Sequence, residues 1–268
     1  MAEGSDARER LASDGEVELP SFTSEELVAV GANSPLPGLL ISERLSDMGP
    51  IPLTAALGAA LRGLVARGYI DPELVASELA AEGGADEVDV PLEGDLALVV
   101  GLRRAPDFVG LVSAPTPGAL AGLSLASAAK TAMIWHGLAE AGAPAVLEER
   151  RSPLGVHSFT LRTLPRAARA LVGWLQEEAT GRRADASGVA CELELALPEH
   201  DATGAIGSRR HHWSVLVDPT GEKASLLVEP PAHDRVGLGA EELVDALASA
   251  LAEALAADGA PVPGREEA

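Results

Sequence analysis

The densest group of side chains able to do chemistry is Arg209-Arg210-His211-His212-Trp213, preceded by Glu199, His200 and Asp201. Histidines and carboxylates in such numbers could hold a divalent metal. Adjacent histidines on a strand point to opposite faces, however, so one ion would need His200 or Asp201 brought in across a loop. The segment reads as a polar loop, 198–210, running into an edge strand, and no metal is expected. His136, beside Trp135, reads as a half-buried structural residue on a helix. His157 falls mid-hairpin, where Glu149 on the facing strand can pair with it. His233 and Asp234 read as a polar loop contact.

Other reactions lack their motifs. Gly237-Leu-Gly239 precedes a helix without the full Gly-x-Gly-x-x-Gly, and Gly204 and Gly207 have no Lys-Ser/Thr after them. No Gly-x-Ser-x-Gly elbow occurs, and Ser158 and Ser225 fall in strands. Among 41 carboxylates, neighbours such as Glu148-Glu149 and Glu241-Glu242 arise by coincidence. Cys191, the single cysteine, lies in the alternating stretch GVACELELAL and reads as a buried structural thiol. No catalytic residue and no cofactor is assigned, and the chain is read as a non-enzyme.

The elements that would carry these residues repeat. Ala145 to Leu175 reads strand, turn, strand, helix, with Ser152-Pro-Leu-Gly155 as the turn. Pro165 follows Thr163 in the first helical turn, and Ala167, Ala170, Leu171, Trp174 and Leu175 form the buried stripe. Trp213 to Leu255 repeats the order, with Asp218-Pro-Thr-Gly221 as the turn. Its closing helix carries Leu243, Leu247, Leu251 and Leu255 at i, i+4 spacing. Residues 1–20 read as a flexible tail, and Thr23-Ser-Glu-Glu26 as a capping box opening a short helix that ends near Gly31. Leu53, Leu57, Leu61, Leu64 and Val65 space a helix ending at Gly68. Asp71-Pro-Glu73 opens another, and Val88–Leu92 alternates like a strand. Asp95–Leu102 and Phe108–Val112 read as a hairpin, and Leu120–Ala141 as helical in its later part. Residues 177–188 are a charged linker.

The expected class is α+β with a central antiparallel sheet flanked by helical bundles, in a quasi-twofold repeat of hairpin-plus-helix units. The domain is expected over 21–258, in halves of about 21–180 and 188–258, with a tail at 259–268.

Composition excludes some functions. The 20 Lys and Arg against 41 Asp and Glu give a net charge of −21, which repels nucleic-acid phosphates. The core is aliphatic, with three Trp, three Phe and one Tyr in the chain. The N-terminal stretch lacks the apolar heart of a signal peptide, and no run approaches the ~20 apolar residues of a membrane span. A cytoplasmic protein with no membrane insertion is expected. ALRGLVARGYIDPEL resembles the end of a winged-helix domain, but no Arg-rich recognition helix follows.

The order of elements resembles the EspG family, cytosolic chaperones of actinobacterial type VII (ESX) secretion. The stretches that carry the resemblance are ALRGLVARGYIDPELVASELAAE leading into VDVPL, then AVLEERRSPLGVHSFTLRTLPRAARALVGWL. A basic-Gly-hydrophobic step ends one helix; a helix, a strand and a strand-turn-strand-helix unit follow, over about residues 22–258. The resemblance implies a quasi-symmetric fold that binds the exposed apolar tip of a PE–PPE heterodimer and keeps it soluble. It also implies that the first hairpin's loop grips the partner, here through Arg150, Arg151 and Leu154. Two alternatives stand beside it: a winged-helix-like or other regulatory interaction module, and an enzyme with an unrecognised site.

Overall fold

The computed structural model describes residues 4–32, 45, 47–73, 92–113, 116–117, 131–139, 144–181, 188–200, 206–218, 220–229 and 235–257. The helices are α1 (Gly4–Asp14), α2 (Ser24–Ala29), α3 (Pro50–Ala66), α4 (Gly94–Arg104), α5 (Leu164–Gly181) and α6 (Ala240–Ala257). The strands are β1 (Glu16–Thr23), β2 (Phe108–Ser113), β3 (Thr116–Pro117), β4 (Thr131–Leu138), β5 (Ala145–Arg151), β6 (Val156–Thr163), β7 (Val189–His200), β8 (Ile206–Val217), β9 (Ala224–Glu229) and β10 (Arg235–Leu238). The protein is α+β, with helices and a large antiparallel sheet.

The chain forms two compact units, 1–106 with 149–161, and 107–148 with 162–268. This differs from the expected halves at about 21–180 and 188–258. The division falls inside β5, after Glu148, and inside β6, after Leu161. The charged stretch at 177–188 marks no boundary, because α5 runs through it to Gly181 and buries Leu175 and Ala179 in the second unit.

In the first unit the strand order is β1-β6-β5. The expected flexible tail at 1–20 is replaced by α1 and β1. Val17 and Leu19 alternate into the core while Glu16 and Glu18 face out, a strand pattern hidden in a charged segment. The capping box forms as read: Thr23 Oγ1 accepts from Glu26 N at 3.2 Å, and Glu26 Oε2 accepts from Thr23 N at 2.9 Å. α3 opens on Pro50, where a missing N–H costs nothing, and Ala60 and Leu64 are its buried contacts. Asp95–Leu102, expected as a strand, is α4. Leu96, Val99, Val100 and Arg103 are buried at i, i+3, i+4 and i+7, the helical period. Tyr69, half-buried in the segment that resembles a winged-helix end, packs edge-on to Phe22 at 5.3 Å.

In the second unit the antiparallel order is β4-β2-β7-β8-β9-β10. Residues 131–138, expected as helix, are strand β4. Met133 is buried between more exposed neighbours, and Trp135, His136 and Gly137 are buried in succession. Gly137 lies opposite Phe108, whose ring would meet an added Cβ at 2.1 Å. The expected loop at 198–210 is mostly strand: β7 and β8 pair in register from Val189↔Val217 to His200↔Ile206. The aliphatic core lies between this sheet and α5 with α6. It takes Ala167, Leu171 and Leu175 from α5 and Leu243, Leu247 and Leu251 from α6, as the spacing predicted. Trp174 and Leu255 pack at its edge.

In element order, β5 and β6 precede α5, and β8, β9 and β10 precede α6. The expected strand at 88–91, the continuation of the helix opened at Asp71, the tail at 259–268, and Asp201, His233 and Asp234 lie outside the described residues.

Candidate functional site: an exposed hairpin tip on a buried ionic anchor

The turn between β5 and β6 is built by Ser152-Pro153-Leu154-Gly155, a sequence suited to a type I turn with glycine last. Gly155 N donates to Ser152 O at 3.0 Å, and Gly155 has φ of 75°, a value that favours glycine. Ser152 N donates to Val156 O at 2.8 Å, and Ser152 Oγ accepts from Val156 N at 3.1 Å. Leu154 therefore stands at the apex and is 88% exposed. Val156 beside it is also exposed. Arg151 is exposed and Arg150 half-buried. All three residues expected to contact a partner are brought to one hairpin end.

Beneath the tip lies a chain of polar groups that is almost wholly buried. Glu149 on β5 is 2% exposed and accepts from Arg103 Nη1 of α4. Arg103 Nε also donates to Ala32 O at 2.9 Å. The other carboxylate oxygen of Glu149 is 2.6 Å from His157 Nδ1, the cross-strand pair the sequence suggested. His157 Nε2 is 2.9 Å from Ser24 Oγ, at the first residue of α2. Ser24 in turn reaches the turn: its N and Oγ donate to Gly155 O at 2.8 and 3.2 Å. Phe159 stacks on His157 at 6.4 Å.

Serine, histidine and glutamate in that order are the arrangement of a nucleophile, its base and the group that orients the base. Here Ser24, His157 and Glu149 are each 2% exposed or less, and the hydroxyl is turned toward a backbone carbonyl. The geometry anchors the hairpin. A buried charge holds its place only when paired and hydrogen-bonded, and both conditions are met for Glu149.

Sequence reasoning missed Ser24, Arg103 and Glu149 as one cluster. Arg103 falls just outside the run Asp95–Leu102 expected as a strand, and Glu148-Glu149 reads as coincidence. The available signal was two glutamates directly after the apolar Ala145-Val-Leu147 within one strand. Alternation sends them to opposite faces, and Glu148 pairs with Arg162 at 2.7 Å within the second unit.

Within the histidine-rich segment, the described side chains do not gather round one point. His211 and His212 point apart, as expected: His211 stacks on Trp213 at 5.9 Å, and His212 Nε2 lies 3.3 Å from Glu192. Burial and the nearby Arg209 lower the pKa of His211. His200 lies opposite Ile206. Among the described residues, no three His, Cys, Asp or Glu side chains converge on one point. His136 is fully buried on β4, where a half-buried helical residue was expected. Cys191 is buried, and burial, reinforced by Glu192, pushes its thiol up to about 12. Among the described residues no helix is long and apolar enough to cross a membrane.

Compared with protein-family models and with curated proteins, the chain matches none.

Proposed function

We propose that this chain is a cytosolic binding protein of the EspG kind, which holds a PE–PPE-like secretion partner soluble and uses no metal, cofactor or nucleic acid. The observation that carries the reading is the hairpin apex. An apolar side chain 88% exposed, flanked by Arg150 and Arg151, stands out on a chain of net charge −21. Leu154 enters an apolar groove of the partner, and the arginines attract and orient it over longer range. Anchoring the turn from below holds the tip in its binding shape, which lowers the entropy lost on association.

The test is co-expression with a PE–PPE-like heterodimer. The reading expects the pair to aggregate alone and to elute with this chain as one complex. A pair that stays soluble alone and elutes apart overturns it. Retention on DNA at physiological salt would favour the regulatory alternative instead.

A further inference from the structure

β7 and β8 pair along their whole length, from Val189↔Val217 to His200↔Ile206, but their neighbours in the sheet are shorter. β2 pairs with β7 from Leu193 to Ala196, and β9 pairs with β8 from His212 to Val217. Among the described residues, the far part of this hairpin, Leu197–His200 with Ile206–His211, has no further strand on either side.

One contact fixes which way its backbone groups point. Glu192 N donates to Ser113 Oγ of β2 at 2.8 Å. The backbone of Glu192, and that of Ser214 opposite it, therefore points out of the β7–β8 ladder. Direction alternates along a strand. His212 points to the β9 side, where Glu229 faces it, and Arg210 and Ser208 point to the same side after β9 has ended. Each offers an N–H and a C=O, the pattern that an added strand uses.

β1 and β10, each at an end of its strand order, are built against such addition. Pro20 within β1 has no N–H to give. β10 is four residues long, with a register shift between Val236 and Leu238 and Gly237 at φ of 71°. Short length, bulges and proline are the usual protection of an edge. The Ser208–Arg210 stretch carries none of them.

The side chains set the partner's chemistry. Arg209 and Arg210 are exposed and leave β8 on opposite faces, in a chain of net charge −21. Arg210 Nη1 lies 2.9 Å from Glu194 Oε1, and its side chain stays largely exposed. A strand added here meets a guanidinium on each face. Two adjacent carboxylates match it, because alternation sends one to each face. The same edge of a second copy would bring two more arginines instead.

We propose that the Ser208–Arg210 edge of β8 receives an extended acidic segment of a partner protein by strand addition. The backbone groups supply the attachment, and the two arginines select the charge. This surface belongs to the second unit, whereas the Leu154 tip belongs to the first.

The experiment is 15N NMR with amide hydrogen exchange on the full-length chain, using the synthetic peptide Ser-Val-Thr-Glu-Glu-Val-Thr-Ser at up to about 1 mM, the weak end of specific affinity. In the chain alone, Ser208 and Arg210 are expected to exchange fast beside Arg209 and His211, whose N–H groups point to β7. At saturation the peptide should slow Ser208 and Arg210 roughly threefold to tenfold, the worth of one hydrogen bond, and leave Arg209 and His211 unchanged. N-methylation of both glutamates removes a ladder donor in either register and should weaken binding about tenfold. Arg209→Glu with Arg210→Glu should lose this peptide and gain its lysine counterpart; Arg209→Gln with Arg210→Gln serves if the reversed chain does not fold.

Slow exchange at Ser208 and Arg210 in the chain alone means that the edge is already covered, by this chain or, if it depends on protein concentration, by a second copy, and overturns the proposal. So does unchanged exchange at both amides with the peptide present, or equal binding of the lysine peptide. Tighter binding of single-stranded DNA than of the acidic peptide also overturns it. None of these readouts involves Leu154, so failure here is separate from failure of the hairpin-tip reading.

Discussion

The two hairpin turns share a design and differ in what they display. Each runs Ser/Asp-Pro-x-Gly, with its glycine at φ of 75° or 76° and its first side chain accepting a backbone N–H from across the turn. Each glycine carbonyl is held by a helical side chain, Ser24 for the first and Gln176 for the second. At the apex the first turn has Leu154, largely exposed. The second has Thr220, whose hydroxyl donates back to Asp218 at 2.8 Å. Below the apex, the first stands on a buried Arg103–Glu149–His157 chain and the second on the aliphatic core of Val215, Val217, Leu226 and Leu247. A turn that only reverses the chain finishes its own hydrogen bonds and shows a polar tip. The first turn is fixed from beneath by an arrangement costly to desolvate, and it presents an apolar side chain to water.

The comparison breaks most visibly at the anchors. Arg103→Ala leaves the Glu149 carboxylate buried without its main partner and is expected to cost about 3–5 kcal/mol. Chemical denaturation checks it. Arg103→Met with Glu149→Leu should recover much of that loss, because the buried charge is then gone rather than unpaired. Leu247→Ala, under the second hairpin, should cost about 2–5 kcal/mol through lost transfer energy and the cavity left behind. A midpoint unchanged by Leu247→Ala would mean that the second hairpin does not depend on this core.

Much of this was legible in the sequence, and the misses share a cause. Hairpin turns, the capping box and the leucine stripe of α6 depend on neighbours within a few residues, and the structure has them where the spacing put them. Asp95–Leu102 and Thr131–Leu138 exchanged helix and strand because short apolar runs carry little periodicity. In the first, the buried Arg103 that completes the helical stripe looks like a surface residue. In the second, Gly137 and Trp135 are explained only by Phe108 on the facing strand. The β1 strand was hidden by its outward glutamates. The position of the first turn was legible because turn chemistry is local, whereas the contact role of Arg150, Arg151 and Leu154 was drawn from the resemblance alone. The anchor was not legible, because Ser24, Arg103, Glu149 and His157 meet only in three dimensions.

Smaller effects sharpen the contrast. Gly137→Ala places a methyl into the Phe108 ring and should cost ~1–3 kcal/mol, read by thermal unfolding. Asp218 differs from the first hairpin's serine in being titratable. Partial burial raises its pKa, but hydrogen bonds from Thr220 and from the N–H groups of Lys223, Glu222 and Gly221 outweigh this and lower it. A lowered native value means stability that is full above the ordinary aspartate value of about 3.9 and lost as pH falls through the native one. Acid titration of Asp218→Asn should therefore show a slightly shallower loss of stability below about pH 4 than the unaltered chain, by an amount reduced by solvent screening.

The central claim is that the first hairpin tip is the contact surface. Its most direct test is titration of the PE–PPE-like partner against a chain carrying Arg150→Glu, Arg151→Glu and Leu154→Asp, with circular dichroism and the denaturation midpoint confirming the fold. The account predicts that the triple variant folds normally and loses binding, and that the two charge reversals alone slow association in a salt-dependent way. Binding at full strength by the folded triple variant would contradict it.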